Sequence, residues 1–201
     1  MTRIALSIVL LGSLARPPVA QADDWGDGPQ LGGRVYAPAV LGGLRVPGDP
    51  NAEALQVAPG FGFRGGLGWG IAKGFTVKLL VGMGVNVVRR GNLPDGSYAR
   101  LARYEGGLGV RQRLDLGGPV EPFVHVGGLF QVFQRPIPNG DGEAELDPTG
   151  SALFGGGILW KAEPWLGLEV GGNAMVVLPG LAFADTTVFV EAFVGVVVPL
   201  R

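Results

Sequence analysis

The sequence predicts an all-β fold, an eight-stranded antiparallel up-and-down transmembrane β-barrel, and three observations carry that prediction. Long stretches alternate between apolar residues and polar or glycine residues, the pattern left by side chains that point to opposite faces of a strand. Eight such stretches follow one another along the chain. The connections between them alternate long and short, as expected where tight turns line one membrane face and longer loops the other. A soluble sandwich has no reason to sort its loops in this way.

Composition narrows the alternatives. The chain has 201 residues, of which 47% are hydrophobic and 16% charged, too apolar for a disordered chain. Glycine is abundant, at 37 residues, but lacks the every-third-residue period of collagen. Beyond the N-terminus no apolar run approaches the roughly 18 residues of a membrane helix. The formal net charge is −1 with no basic cluster, so no nucleic-acid partner is expected. Cysteine is absent, and a closed barrel needs no disulfide staple.

Residues 1–22 read as a secretory signal peptide. Arg3 supplies the positive start, Ile4 to Leu14 the apolar stretch, and Ala20-Gln21-Ala22 the small-x-small cleavage site. The alternative is an N-terminal membrane anchor, for which the apolar stretch is short. Residues 23–201 then form the barrel domain. Asp23 to Gln30 is a polar lead-in, and Leu31 to Val46 the first strand, interrupted by Pro38 and Gly42-Gly43. Pro47 to Glu53 is dense in turn formers and makes a loop.

Leu55 to Ile71 is the second strand, with Phe61, Phe63, Leu67, Trp69 and Ile71 on one face and Arg64 among glycines on the other. After a tight turn at Ala72-Lys73-Gly74, Phe75 to Val88 sends Leu79, Val81 and Met83 outward and Thr76, Lys78 and Asn86 inward. Arg89 to Ser97 is a loop. Tyr98 to Leu114 is the most charged strand, with Arg103, Glu105, Arg111 and Arg113 sharing one parity and Tyr104 and Leu108 the other. Arg100 falls on the apolar face, near the strand end where such a charge costs little.

Asp115 to Pro119 turns the chain into its clearest stretch, Val120 to Gln134. There Val120, Pro122, Val124, Val126, Gly128, Phe130 and Val132 make a continuous apolar face, while Glu121, His125 and Gln131 lie on the other. Soluble strands usually run about five or six residues, whereas a tilted crossing of a bilayer takes about 9–11. Arg135 to Thr149, rich in Pro, Gly, Asp and Glu, reads as the longest loop. Gly150 to Ala162 puts Phe154, Ile158 and Trp160 outward and Ser151 and Lys161 inward. Past Glu163-Pro164-Trp165, Leu166 to Leu178 carries Glu169 and Asn173 on its inner face, and Thr186 to Val198 closes the chain with Glu191 inward.

By this parity Arg34, Arg64, Lys78, Arg103, Glu105, Arg111, Arg113, Glu121, His125, Lys161, Glu169 and Glu191 face away from lipid. An eight-stranded barrel is just wide enough for side chains to fill it. The expected result is a packed polar interior of Arg–Glu pairs, because buried charges must be partnered, with the inward glycines leaving room for long side chains. A carboxylate pair such as Glu105 and Glu121 has the chemistry for acid–base work, but structural pairing is the expected role. His125 is the single histidine, which excludes a multi-histidine metal site. No P-loop, dinucleotide fingerprint or zinc spacing occurs, and Gly155-Gly156-Gly157 lies within an alternating strand rather than a phosphate loop. No catalytic residue, cofactor or metal is expected. Trp69, Trp160, Trp165, Phe75, Tyr98 and Tyr104 lie near strand ends, where a membrane girdle places aromatic residues.

With its leader, its alternating P-F-V-H-V-G-G-L-F (Pro122–Phe130) and its closing V-F-V-E-A-F-V-G-V-V-V (Val188–Val198), the chain resembles the small eight-stranded outer-membrane β-barrels of the OmpA-like and opacity-protein-like superfamily. The resemblance spans residues 23–201 and implies export through the periplasm to a Gram-negative outer membrane. It also implies contact with membrane lipid and lipopolysaccharide, insertion by the barrel-assembly machinery, and a monomer. Members typically end in an aromatic residue, whereas this chain ends Val198-Pro199-Leu200-Arg201. A peptidoglycan-binding domain like that of larger relatives is not expected.

Three roles remain open from sequence. The first is a non-enzymatic envelope or surface-contact protein, the second a narrow channel or transporter for small or hydrophobic molecules, and the third a lipid-modifying barrel enzyme. A soluble lipocalin-like barrel is the rival fold.

Overall fold

In the computed structural model the described residues are 28–41, 56–89, 98–136, 144–180 and 183–200. The expected signal peptide lies outside them. Eight strands run in chain order: β1 (Pro29–Leu41), β2 (Gln56–Ala72), β3 (Phe75–Arg89), β4 (Tyr98–Arg113), β5 (Val120–Pro136), β6 (Ala144–Glu163), β7 (Leu166–Val177) and β8 (Thr187–Pro199). Each pairs antiparallel with the next, and β1 pairs with β8 from Gln30–Pro199 to Leu41–Val188, which closes the sheet into a barrel. Closure removes the free edges that would leave backbone donors and acceptors unpaired in lipid.

Alternation sorts the side chains as hydropathy predicts. Phe61, Leu79, Val81, Leu108, Val124, Val126, Phe130 and Val194 stand exposed on the outside, which gives the apolar belt a bilayer requires. Trp69, Trp160 and Trp165 are exposed at the short-turn end. Two turns there consist of only Lys73–Gly74 and Pro164–Trp165. Gly74 has φ 73°, a left-handed conformation that glycine adopts without steric cost. The Lys73 ammonium lies 2.9 Å from Asp115, tying two neighbouring short turns together. That contact holds the Asp115 carboxyl below the usual carboxylate range.

Two expectations need correction. The loop placed at Arg135–Thr149 is shorter, because β5 runs to Pro136 and β6 begins at Ala144. Pro148 and its turn-forming neighbours conceal a continuing alternation, with Leu146 exposed and Asp147 and Thr149 buried. Pro148 costs no ladder bond. Gly150 accepts from the Leu178 amide on the β7 side, so Pro148, two residues back, turns the same way. The β6–β7 pairing has already ended there, at Ser151–Val177.

The second correction concerns the interior, which is not polar throughout. At the long-loop end Val88, Leu101, Leu129, Phe133, Leu153, Met175, Val177, Phe183 and Phe189 form a buried apolar cluster. Tyr36, Phe123, Leu159, Phe193 and Val197 form a second one. The second cluster packs directly against the inward charges, so apolar and charged side chains share the interior from its middle to the short-turn end.

One joint of the sheet is incomplete. The β1–β2 ladder runs from Pro29–Trp69 only to Tyr36–Gly62, although β1 continues to Leu41 alongside β8. Pro38 and Pro59 sit in this gap and lack N–H groups. The Asn86 side-chain amide of β3, buried, donates to the carbonyls of Pro38 and Ala58, 3.1 Å each. It thereby satisfies acceptors that the interrupted ladder leaves open.

Candidate functional site

The centre of the barrel holds a hydrogen-bonded charge network assembled from six strands. Arg64, from β2, donates through Nε to Glu105 of β4 and through Nη1 and Nη2 to the two carboxylate oxygens of Glu191 on β8, at 3.0 and 3.3 Å. Glu191 also accepts from Arg103 Nη2 at 2.7 Å and from Asn173 Nδ2 at 3.0 Å. Glu105 accepts in addition from Gln131 of β5 at 3.2 Å. The Tyr36 hydroxyl of β1 accepts from Arg103 at 3.0 Å and donates to the Met83 carbonyl at 3.1 Å. Both guanidinium groups lie against the Tyr36 ring, Arg64 at 4.7 Å and Arg103 at 5.5 Å from its centroid. Charges this deeply buried are tolerable only when geometry and additional hydrogen bonds offset their desolvation.

Glycine makes the space. A Cβ on Gly62 would stand 2.2 Å from the Tyr36 ring, and one on Gly82 would stand 2.7 Å from Glu105 Oε1. Replacing Gly62 with valine is therefore expected to push Tyr36 off Arg64 and Arg103. The cost should be about 1–3 kcal/mol, as for other overpacked interiors, measured as a lower urea midpoint of the refolded barrel. An unchanged midpoint would show that the ring moves freely.

Towards the short turns the charges form two smaller groups. Glu169 of β7 accepts from Arg34 at 2.8 Å and from Arg111. The Arg34 guanidinium lies 4.2 Å from the centroid of Phe193, and that of Arg111 lies 3.9 Å from that of Phe123. Glu121 pairs with Arg113 at 3.2 Å and with Lys161 at 2.7 Å. Lys78 lines a cavity of about 30 Å³ together with Arg34, Arg64, Glu169, Leu80, Val196 and four glycines of β1 and β2.

The twelve residues singled out from sequence thus fall into three ion-paired groups, with Lys78 and His125 beside them. Glu105 and Glu121, the carboxylates with acid–base potential, belong to different groups. His125 stacks on Phe123 at 5.9 Å and lies 6.3 Å from Phe193. Ser151, the buried inward serine, has its hydroxyl 3.5 Å from the Leu129 carbonyl. Among the described residues no group of three or more His, Asp or Glu is placed to hold a metal ion.

Parity reasoning overlooked Tyr36, Gln131 and Asn173 as network members. All three share their strands' inward register with a predicted charge, respectively Arg34, His125 and Glu169, and that register is the signal that finds them. Phe123 and Phe193, which carry the Arg34 and Arg111 contacts, share the inward register of Glu121 and Glu191 and are found by the same signal.

No protein-family model matches the chain, and no curated protein sequence does. Solved structures do match. Neisserial surface protein A superposes with a TM-score of 0.63 at 14% identity, covering 87% of this chain and 98% of its own. The outer membrane protein OprG of Pseudomonas aeruginosa gives 0.58 at 13% identity, covering 87% and 98%. The attachment invasion locus protein of Yersinia pestis, in complex with the heparin analogue sucrose octasulfate, gives 0.52 at 12% identity, covering 87% and 99%. The chain has the fold of the small eight-stranded outer-membrane β-barrels, with exposed apolar side chains along its exterior.

Proposed function

We propose that the protein is a non-enzymatic component of the bacterial outer membrane that acts through envelope structure and surface contacts rather than through its lumen. One observation carries this reading: among the described residues, buried side chains cross the lumen at two levels. The network of Arg64, Arg103, Glu105 and Glu191 ties β2, β4 and β8 across the interior. Above it the apolar cluster includes Phe183, from the segment joining β7 to β8, packed edge-on at 4.8 Å against Phe133. A solute on the axis has to displace both.

With the interior occupied, the surfaces left for partners are the belt, facing lipid and lipopolysaccharide, and the connections at the long-loop end. That the same fold serves a Neisserial surface protein and a Yersinia protein solved with a heparin analogue supports a surface role by analogy of fold. The barrel-assembly machinery is the partner in biogenesis, and the inserted protein is a monomer. Interior charge pairs are structural on this reading, and His125, between two phenylalanine rings, fills space.

The test has two parts. Expressed in a Gram-negative host, the protein should sediment with outer membranes and shift its gel mobility on heating. Pure refolded protein in planar bilayers should give no discrete conductance steps. Reproducible steps would overturn the filled-lumen reading in favour of a channel, and altered lipid profiles in a deletion strain would overturn it in favour of an enzyme.

A further inference from the structure

The inward charges do not balance along the barrel. In the middle, Arg64 and Arg103 meet Glu105 and Glu191. Towards the short turns, Arg34, Lys78, Arg111, Arg113 and Lys161 gather around the carboxylates of Glu121 and Glu169. Both carboxylates are already engaged, Glu169 by Arg34 and Arg111, Glu121 by Arg113 and Lys161.

Lys78 is the cation left over. Among the described residues its ammonium forms no ion pair, and its charged neighbours are Arg111, Arg34 and Arg113 against the single carboxylate of Glu169. The register sets Gly68 of β2 and Gly109 of β4 on either side of it, so neither adjacent strand offers a side chain. Behind it Arg111, 1% exposed, keeps Nε and Nη2 without an acceptor. Surplus cations lining the interior in this way are costly unless a proton is lost or a negative charge joins them, and the guanidinium groups keep their protons.

The space beside Lys78 suits a small one. The cavity of about 30 Å³ is bounded by Lys78, Arg34, Arg64 and Glu169. A water-sized particle needs roughly 10–15 Å³ on this measure, so a monatomic anion fits. Water alone fills the space but neutralises nothing.

We infer that this cavity is a halide site, in which one chloride ion lies beside the Lys78 ammonium and the Arg34 guanidinium as a structural counter-ion. Glu169 forms part of the wall but is held by its two arginines, which leaves Lys78 as the anchoring cation. The site is independent of whether the lumen conducts, since an ion held here needs no open axis.

Halide-dependent stability tests the assignment. Refolded protein is unfolded by heat in sodium chloride and in sodium gluconate at matched ionic strength. Chloride at ten times its dissociation constant should raise the midpoint by about 3–6 °C over gluconate, and Lys78→Met should remove the difference. Equal midpoints in the two salts, or a chloride effect of full size in Lys78→Met, would overturn it. Should that variant fail to fold, crystals of the unmodified protein grown in sodium bromide decide the matter. An anomalous bromide peak within about 3.5 Å of Lys78 Nζ supports the site, and a map without one overturns it.

Discussion

Replacing Glu191 with alanine is expected to cost the barrel about 3–5 kcal/mol, the penalty for breaking a buried ion pair by removing one partner. Glu191 is the acceptor on which the central network converges. It takes two hydrogen bonds from Arg64, one from Arg103 and one from Asn173. Its loss leaves two guanidinium groups with one remaining carboxylate, Glu105, in a site closed to solvent.

Glu191→Gln should cost less than alanine, because the amide oxygen still accepts and the cavity is kept. Adding Arg103→Met to Glu191→Ala should recover part of the loss by removing a stranded charge. Urea unfolding of protein refolded into lipid vesicles reads all three. If Glu191→Ala unfolds with wild-type stability, the network is not what holds the middle of the barrel together.

The second large effect is on the outside. Val126 is outward-facing and lies six residues beyond Val120, the first residue of β5. At a rise of about 3.3 Å per residue and a tilt of about 40° it sits near the centre of an apolar belt roughly 25 Å tall. Val126→Arg should therefore cost about 2–4 kcal/mol and lower the yield of the heat-modifiable folded form. Leu146→Arg is the control. Leu146 is also exposed, but it lies where β6 has already outrun β7, at the long-loop end. The natural Arg100, exposed on β4 two residues into that strand, shows that such a position tolerates a guanidinium. Equal effects of the two substitutions would mean that the lipid face has been placed wrongly.

Both predictions rest on parity, and parity is what the sequence displays best. A membrane barrel repeats one rule at every position, so the apolar face of β5 already assigned Val126 outward and Glu121 inward. Strand ends were less legible. Pro148 reads as a turn former, and only the absence of a neighbouring strand on its bonding side explains how β6 passes through it. The interior was half legible. Arg and Glu on one parity imply pairing, yet which glutamate meets which arginine depends on the stagger of strands far apart in sequence, such as β2 and β8. Phe133, Phe183 and Phe189 gave no warning, because an inward phenylalanine breaks no rule; Phe183 lies outside any strand and reaches the lumen from a connection.

The interrupted joint between β1 and β2 makes the barrel a hoop of uneven stiffness. Among the described residues the ladder of this joint stops five residues short of the end of β1, and the two hydrogen bonds of Asn86 bridge the gap. Side-chain bonds yield to shear more readily than a backbone ladder anchored at every second residue. Under lateral pressure from the surrounding lipid, the joint between β1 and β2 is expected to give before the fully laddered pairing of β1 with β8.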